Sequence, residues 1–211
     1  MSTNMLVRRL ASLYLGLVLF GGSVALMVRA ELGLDPWDVL HQGLSQHTGL
    51  RFGWVVIAVG AIVLLLWLPL KQRPGVGTVS NVVVIGLAAD AGLSILPHPH
   101  ALVLRFAFLA AGIVANGIAT GLYIGAGLGP GPRDGLMTGL AARGHSIRVV
   151  RTAIEVSVLA AGWLLGGSVG VGTVLYALSI GPLAHFFIPK LAIPVPDAVP
   201  GKTRRRALNH V

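Results

Sequence analysis

The chain has 211 residues, 55% of them hydrophobic and 11% charged, with a mean hydropathy of +0.82 and a formal net charge of +9. An ordinary soluble domain carries about twice that share of charge and is excluded; the basic residues fall in short clusters between apolar stretches, as in cytoplasmic loops, which excludes nucleic acid as a partner. Cysteine is absent, so disulfides, thiolate metal sites and cysteine nucleophiles are excluded as well.

Residues 1–9 form a short basic segment. The apolar run after it, Leu10 to Val28, has a rival reading as a signal peptide. Its 19 residues, and its match to a segment starting at Gly112, favour a retained span. Further apolar segments near 54–70, 76–96, 102–126, 149–165 and 169–188 bring the number of expected spans to six. Each is long enough for the ~30 Å of a bilayer core. Two intervening segments, 36–46 and 132–143, are too short to cross. Residues 191–211 are Pro-rich and basic, and are expected to be a cytoplasmic tail without fixed structure that contacts anionic membrane lipid.

The chain also contains itself twice. Shifting residues 16–44 by 96 positions gives 12 identities in 29, and shifting 75–86 by 95 gives 7 in 12. Composition alone would yield roughly one match in ten, so the duplication is real. Repeat 1 covers 10–96 and repeat 2 covers 102–190, each with three spans and one short helix.

Charge sets the orientation. With the N-terminus inside, the inner loops receive Arg8, Arg9, Lys71, Arg73, Arg133, Arg143, Arg148, Arg151 and Lys190 and the tail, whereas the outer side receives Arg29, Arg51 and Arg105. Both termini are then cytoplasmic. Three spans per copy is an odd number, so the second copy lies upside down relative to the first. The expected fold is an all-α polytopic membrane helix bundle, six transmembrane helices as two inverted three-helix repeats, each with a short half-helix. Inverted repeats of this kind recur in secondary transporters.

The short segments carry the best candidate residues. Each follows a Gly-containing turn with Pro, any residue, then Asp: Asp35, Pro36 and Asp38 in the first copy, and Gly129, Gly131, Pro132, Arg133 and Asp134 in the second. Pro suits the first helical turn because its missing N–H would be unpaired there, and Asp favours the positive helix end. Two placements are open. The helices either dip into the protein from opposite sides and present their N-termini to a substrate or ion, or lie flat at the membrane interface. Arg133 would suit an anionic substrate group, and Trp37 stands at the equivalent place of the first copy.

Ionisable residues within spans are sites by default. Asp90 and His185 occupy positions that the repeat superposes and are candidates for proton coupling, although their depths in opposite leaflets keep them from direct contact. Arg151 and Glu155, four apart on one helix, are an expected ion pair near the pathway. Asn81 and Asn116 are expected to form interhelical hydrogen bonds. His and carboxylate spacing suits no metal, and His98-Pro99-His100 reads as an outer loop. No phosphate loop is complete and no nucleophile, base and orienting carboxylate assemble, so neither an enzyme nor a cofactor is expected.

The stretches GLGPGPRDGLMTGL (127–140), 148–155, GWLLGGSVGVGTV (162–174) and SIGPLAHFF (179–187) resemble the YczE/YyaS/YitT family of bacterial integral membrane proteins, most closely its YczE branch. The likeness runs from about residue 8 to 190. It implies a bacterial cytoplasmic membrane protein and a small-molecule transporter or exporter, and it supplies no catalytic residues. The expected function is a secondary transporter, exporter or facilitator of an unknown small-molecule solute, with proton coupling and homo-oligomerisation left open. A non-transporting membrane scaffold for an unknown partner is the alternative.

Overall fold

A computed structural model describes residues 3–194. The described residues form helices and connecting turns without strands. In chain order the helices are α1 (Thr3–Ala30), α2 (Pro36–Thr48), α3 (Phe52–Leu65), α4 (Trp67–Leu70), α5 (Val76–Ile95), α6 (Leu102–Gly125), α7 (Pro132–Ala141), α8 (Ile147–Leu164) and α9 (Val171–Leu191). The expected tail from 195 onward lies outside the described residues.

Among the described residues, five segments are long and apolar enough to cross a membrane: Thr3–Ala30, Phe52–Leu70, Val76–Ile95, Leu102–Gly125 and Val171–Leu191. The sixth segment expected from the sequence is α8, an 18-residue helix that carries Arg148, Arg151 and Glu155. Those charges, rather than its length, set it apart from the other five. The span expected at 54–70 is broken at Leu66 into α3 and α4. Pro69 explains part of the break, because its ring removes the N–H that would continue the ladder. Large apolar side chains such as Leu68, Val103 and Leu164 point outward, as lipid-facing positions do.

The centre of the molecule is the α1/α6 pair, with α5 packed on α1 and α9 on α6. The pair is antiparallel. Ser12 Oγ donates to the Leu122 carbonyl (3.0 Å), Asn116 Nδ2 to Ser23 Oγ (2.9 Å) and Arg105 Nε to the Ala30 carbonyl (2.7 Å), so partners run in opposite directions along the two helices. Leu13, Leu17, Val24 and Met27 of α1 and Leu109 and Ile113 of α6 join the main apolar core.

Contacts recur between the halves with partners exchanged. Arg9 donates to the carbonyls of Ala126 (2.6 Å) and Gly127 (2.7 Å), and Arg105, 96 positions later, donates to those of Ala30 (2.7 Å) and Glu31 (2.5 Å). Each arginine thus satisfies the carbonyls at the end of the helix that carries the other. The Gly77 amide donates to the Leu128 carbonyl (2.9 Å), and the Gly172 amide to the Leu32 carbonyl (2.7 Å). These crossings need glycine at Gly33 (φ 106°) and Gly129 (φ 128°). A Cβ would stand 2.5 Å from the Gly170 nitrogen in the first case and 2.7 Å from Thr78 Oγ1 in the second.

Candidate functional site

Asp35 shapes the start of α2. Its Oδ1 accepts from the amides of Trp37 (2.8 Å) and Asp38 (3.0 Å), which makes it the N-cap ahead of Pro36. Asp38, three residues on, receives His41 Nδ1 at 3.0 Å from the same face of the helix. Asp35, Asp38 and His41 are all buried. The His41 ring also meets Phe52 of α3 edge-on, 6.0 Å between centroids.

The second short helix reaches into this cluster. Arg133, in the first turn of α7, extends its guanidinium to within 3.8 Å of Asp35 Oδ1 and 3.7 Å of Asp38 Oδ1. Its central carbon lies 5.0 Å from the centre of the Trp37 ring. Cation–π attraction and the two carboxylates therefore hold the same cation. The Arg133 side chain remains 27% accessible, so this edge of the cluster is not closed over by the described residues.

α7 is anchored by what surrounds it. Trp67 of α4, buried, donates its indole N–H to the Pro132 carbonyl (3.0 Å), and Thr78 Oγ1 of α5 donates to the Pro130 carbonyl (2.8 Å). Gly131 is the N-cap but has no side chain to cap with. Asp134 receives the Tyr123 hydroxyl at 3.1 Å. Asn116, Tyr176 and Ser23 form a polar chain across the middle of the bundle: Tyr176 donates to Asn116 Oδ1 (3.1 Å), and Asn116 donates to Ser23.

Thus the structure brings together Asp35, Asp38 and Arg133, with Pro36, Gly131, Pro132 and Asp134 in the same two helix starts and Gly129 in the crossing beside Thr78. Arg151 and Glu155 pair with each other at 2.9 Å on α8. Asp90 is spoken for: its Oδ1 accepts from the Gly53 amide at the start of α3 (2.7 Å). His185 is exposed on α9. An apolar cavity of about 550 Å³ between α6 and α9, lined by residues such as Phe106, Ile113 and Pro182, shares no residue with the charged cluster. Sequence reading missed His41, Tyr123, Trp67 and Tyr176. Only His41 left a local signal, its i,i+3 spacing from Asp38; the others reach the site across more than ten residues of chain.

Several apolar helices packed around a buried polar centre define a multi-span helical membrane protein. A family of unknown function, DUF6198, matches residues 7–189, and the chain belongs to it. It is 44% identical over 186 residues to an uncharacterized protein of Haemophilus influenzae, covering 88% of this chain and 85% of that one. It is 35% identical over 188 residues to the uncharacterized membrane protein YczE of Bacillus subtilis (88% and 87% covered), and 25% identical over 182 residues to the uncharacterized protein YyaS of the same organism (83% and 90% covered). The resemblance to YczE and YyaS noted from the sequence is therefore shown. No solved structure matches.

Proposed function

We propose that this protein is a secondary transporter or facilitator that carries a small solute across the bacterial cytoplasmic membrane without altering it covalently. The observation that carries the proposal is the reach of Arg133, in the first turn of α7, to Asp35 and Asp38 in the first turn of α2. Two short helices that begin at one buried charged cluster, and end away from it, are the arrangement in which half-helices present their N-termini to a solute.

The exchanged contacts support an inverted repeat. An antiparallel α1/α6 pair, joined by interactions that recur after a shift of 95 or 96 residues, has its twofold axis perpendicular to the helices and so in the membrane plane. Arg133 and Trp37 are equivalent positions of the two copies, and equivalent positions touch only near such an axis. With α8 counted as a span, its charges tolerated beside the pathway, the fold has six spans and both termini inside.

The direct test is a thermal-shift screen of the purified protein against metabolites, lipids and antibiotics, followed by flux of any hit into proteoliposomes. A stabilising solute whose flux needs Arg133 is the expected result. Absence of any small-molecule stabilisation, together with co-purification of one defined protein, would favour the scaffold alternative. Since the native chain has no cysteine, single cysteines at 33–38 and 129–134 report the side of entry: opposite-side, depth-limited labelling is expected, and uniform labelling from the nearer side would retire the re-entrant helices.

A further inference from the structure

We infer that the Asp35–Asp38 pair is a site for one monovalent cation, occupied by a proton when empty of substrate and by an ammonium group when loaded. This rests on the transport reading above and names the charge class of the solute.

Two of the four buried side-chain polar atoms left without a hydrogen-bond partner among the described residues are the acceptors Asp35 Oδ2 and Asp38 Oδ2, on one turn; a third, Trp37 Nε1, is a donor that a cation does not serve. Native proteins leave few buried polar atoms unpaired, and an unpaired cluster in one place calls for an occupant. The Oδ1 atoms are already used: that of Asp35 by two backbone amides and Arg133, that of Asp38 by His41 and Arg133. The two free acceptors belong to buried carboxyls, 2% and 1% exposed, three residues apart at the start of one helix.

The charge count points the same way. Two carboxylates and one guanidinium leave one negative charge in a buried place, which is costly unless a further cation neutralises it. Arg133 is held loosely at 3.7 and 3.8 Å, longer than a charge-assisted hydrogen bond, and does not reach the Oδ2 atoms. The other titratable groups around the pair are His41 on α2, Asp134 next to Arg133 on α7, Arg151 on α8, itself paired with Glu155, and Tyr176 on α9. His41 is a neutral donor in this setting, buried against Phe52. An ammonium satisfies both Oδ2 atoms with its own N–H donors. A proton on either carboxyl removes the excess negative charge. When an ammonium enters, that proton leaves to solvent, so binding is an exchange of one cation for another.

The experiment is infrared difference spectroscopy of the intact protein in nanodiscs, with n-butylammonium as probe. The wild type should show the carbonyl band of a protonated carboxyl at acidic pH, lost at alkaline pH. Asp35→Asn and Asp38→Asn should each lack it, because one remaining carboxylate beside Arg133 stays ionised. Asparagine still caps a helix, so the first variant keeps its fold. His41→Gln, which retains a donor to Asp38, should keep the band. n-Butylammonium should abolish the band and release one proton per molecule bound.

A band without a response to n-butylammonium would overturn the ammonium occupant, and an ammonium response without proton release would overturn the exchange. No band and no ammonium response in the wild type would overturn the site itself, as would a band that survives both Asn variants. The transport reading fails separately: ammonium binding without n-butylammonium flux into proteoliposomes would sink transport and leave the site standing. Flux of an uncharged or anionic solute that survives both variants would do the reverse.

Discussion

The guanidinium of Arg133 stacks on the ring of Trp37, 5.0 Å from its centre, although the two residues are 96 positions apart and occupy the same place in the two copies of the repeat. The contact joins α7 to α2 and places a cation against two buried carboxylates. Removing that cation leaves both acids uncompensated. Arg133→Ala is therefore expected to destabilise the protein by about 2 kcal/mol, a low value for a buried ion pair because the arginine is partly accessible. The sign with pH is definite: the loss is largest at alkaline pH, where the acids are ionised, and shrinks as they protonate in acid. Thermal unfolding in mild detergent as a function of pH checks it. Arg133→Lys keeps the charge without the flat stacking surface and should fall between the two.

The exchanged arginines make a paired prediction. Arg9 closes the end of α6 and Arg105 closes the end of α1 through equivalent carbonyls. Replacing Arg105 by Leu, or Arg9 by Leu, should each cost about 1–3 kcal/mol, the range for charged hydrogen bonds lost from backbone acceptors. Arg9 is the more buried, so its variant should be the worse of the two. Denaturant unfolding followed by helical circular dichroism measures the difference.

Gly135 of α7 lies under the Trp67 indole, and a Cβ there would stand 1.9 Å from that ring. Trp67 is buried and holds the Pro132 carbonyl, so the ring has little room to retreat. Gly135→Ala should cost about 1–3 kcal/mol by overpacking and displace the first turn of α7, lowering solute binding as well as melting temperature. Gly181→Ala is the control, since a Cβ there meets nothing within 4 Å. It should be neutral or stabilising by about 0.5–1 kcal/mol, because alanine restricts the unfolded chain and favours a helix.

Asp90 accepts the Gly53 amide at the beginning of α3. Asp90→Asn preserves an acceptor and should leave stability and the pH profile of transport nearly unchanged. Asp90→Ala leaves the amide unpaired and should cost about 1 kcal/mol, as loss of a helix cap does. A pH profile altered by the Asn variant alone would make Asp90 a coupling residue.

Glu155→Gln tests the pair on α8. Arg151 is exposed and Glu155 partly so, and exposed i,i+4 pairs contribute about 0.3–0.5 kcal/mol. A melting temperature within a degree or two of wild type is expected, with the difference vanishing at high salt.

Much of this molecule follows from local pattern. Long apolar runs dictate spanning helices because every backbone polar group in lipid must be paired within its own segment, and Asp-Pro-Trp-Asp and Gly-Pro-Arg-Asp dictate where α2 and α7 begin because Pro and Asp suit a first helical turn. The repeat, legible as identities at a fixed shift, has its counterpart in contacts that come in equivalent pairs, as those of Arg9 and Arg105 do. What sequence could not specify is which ends meet. That Arg133 faces Trp37, that Tyr123 reaches Asp134, and that Asp90 serves a neighbouring helix rather than a partner in the opposite half depend on how α1 and α6 cross and how far the loops at Gly33 and Gly129 push into the other half. Those distances are set by side-chain packing between helices far apart in the chain, and only the tertiary structure decides them.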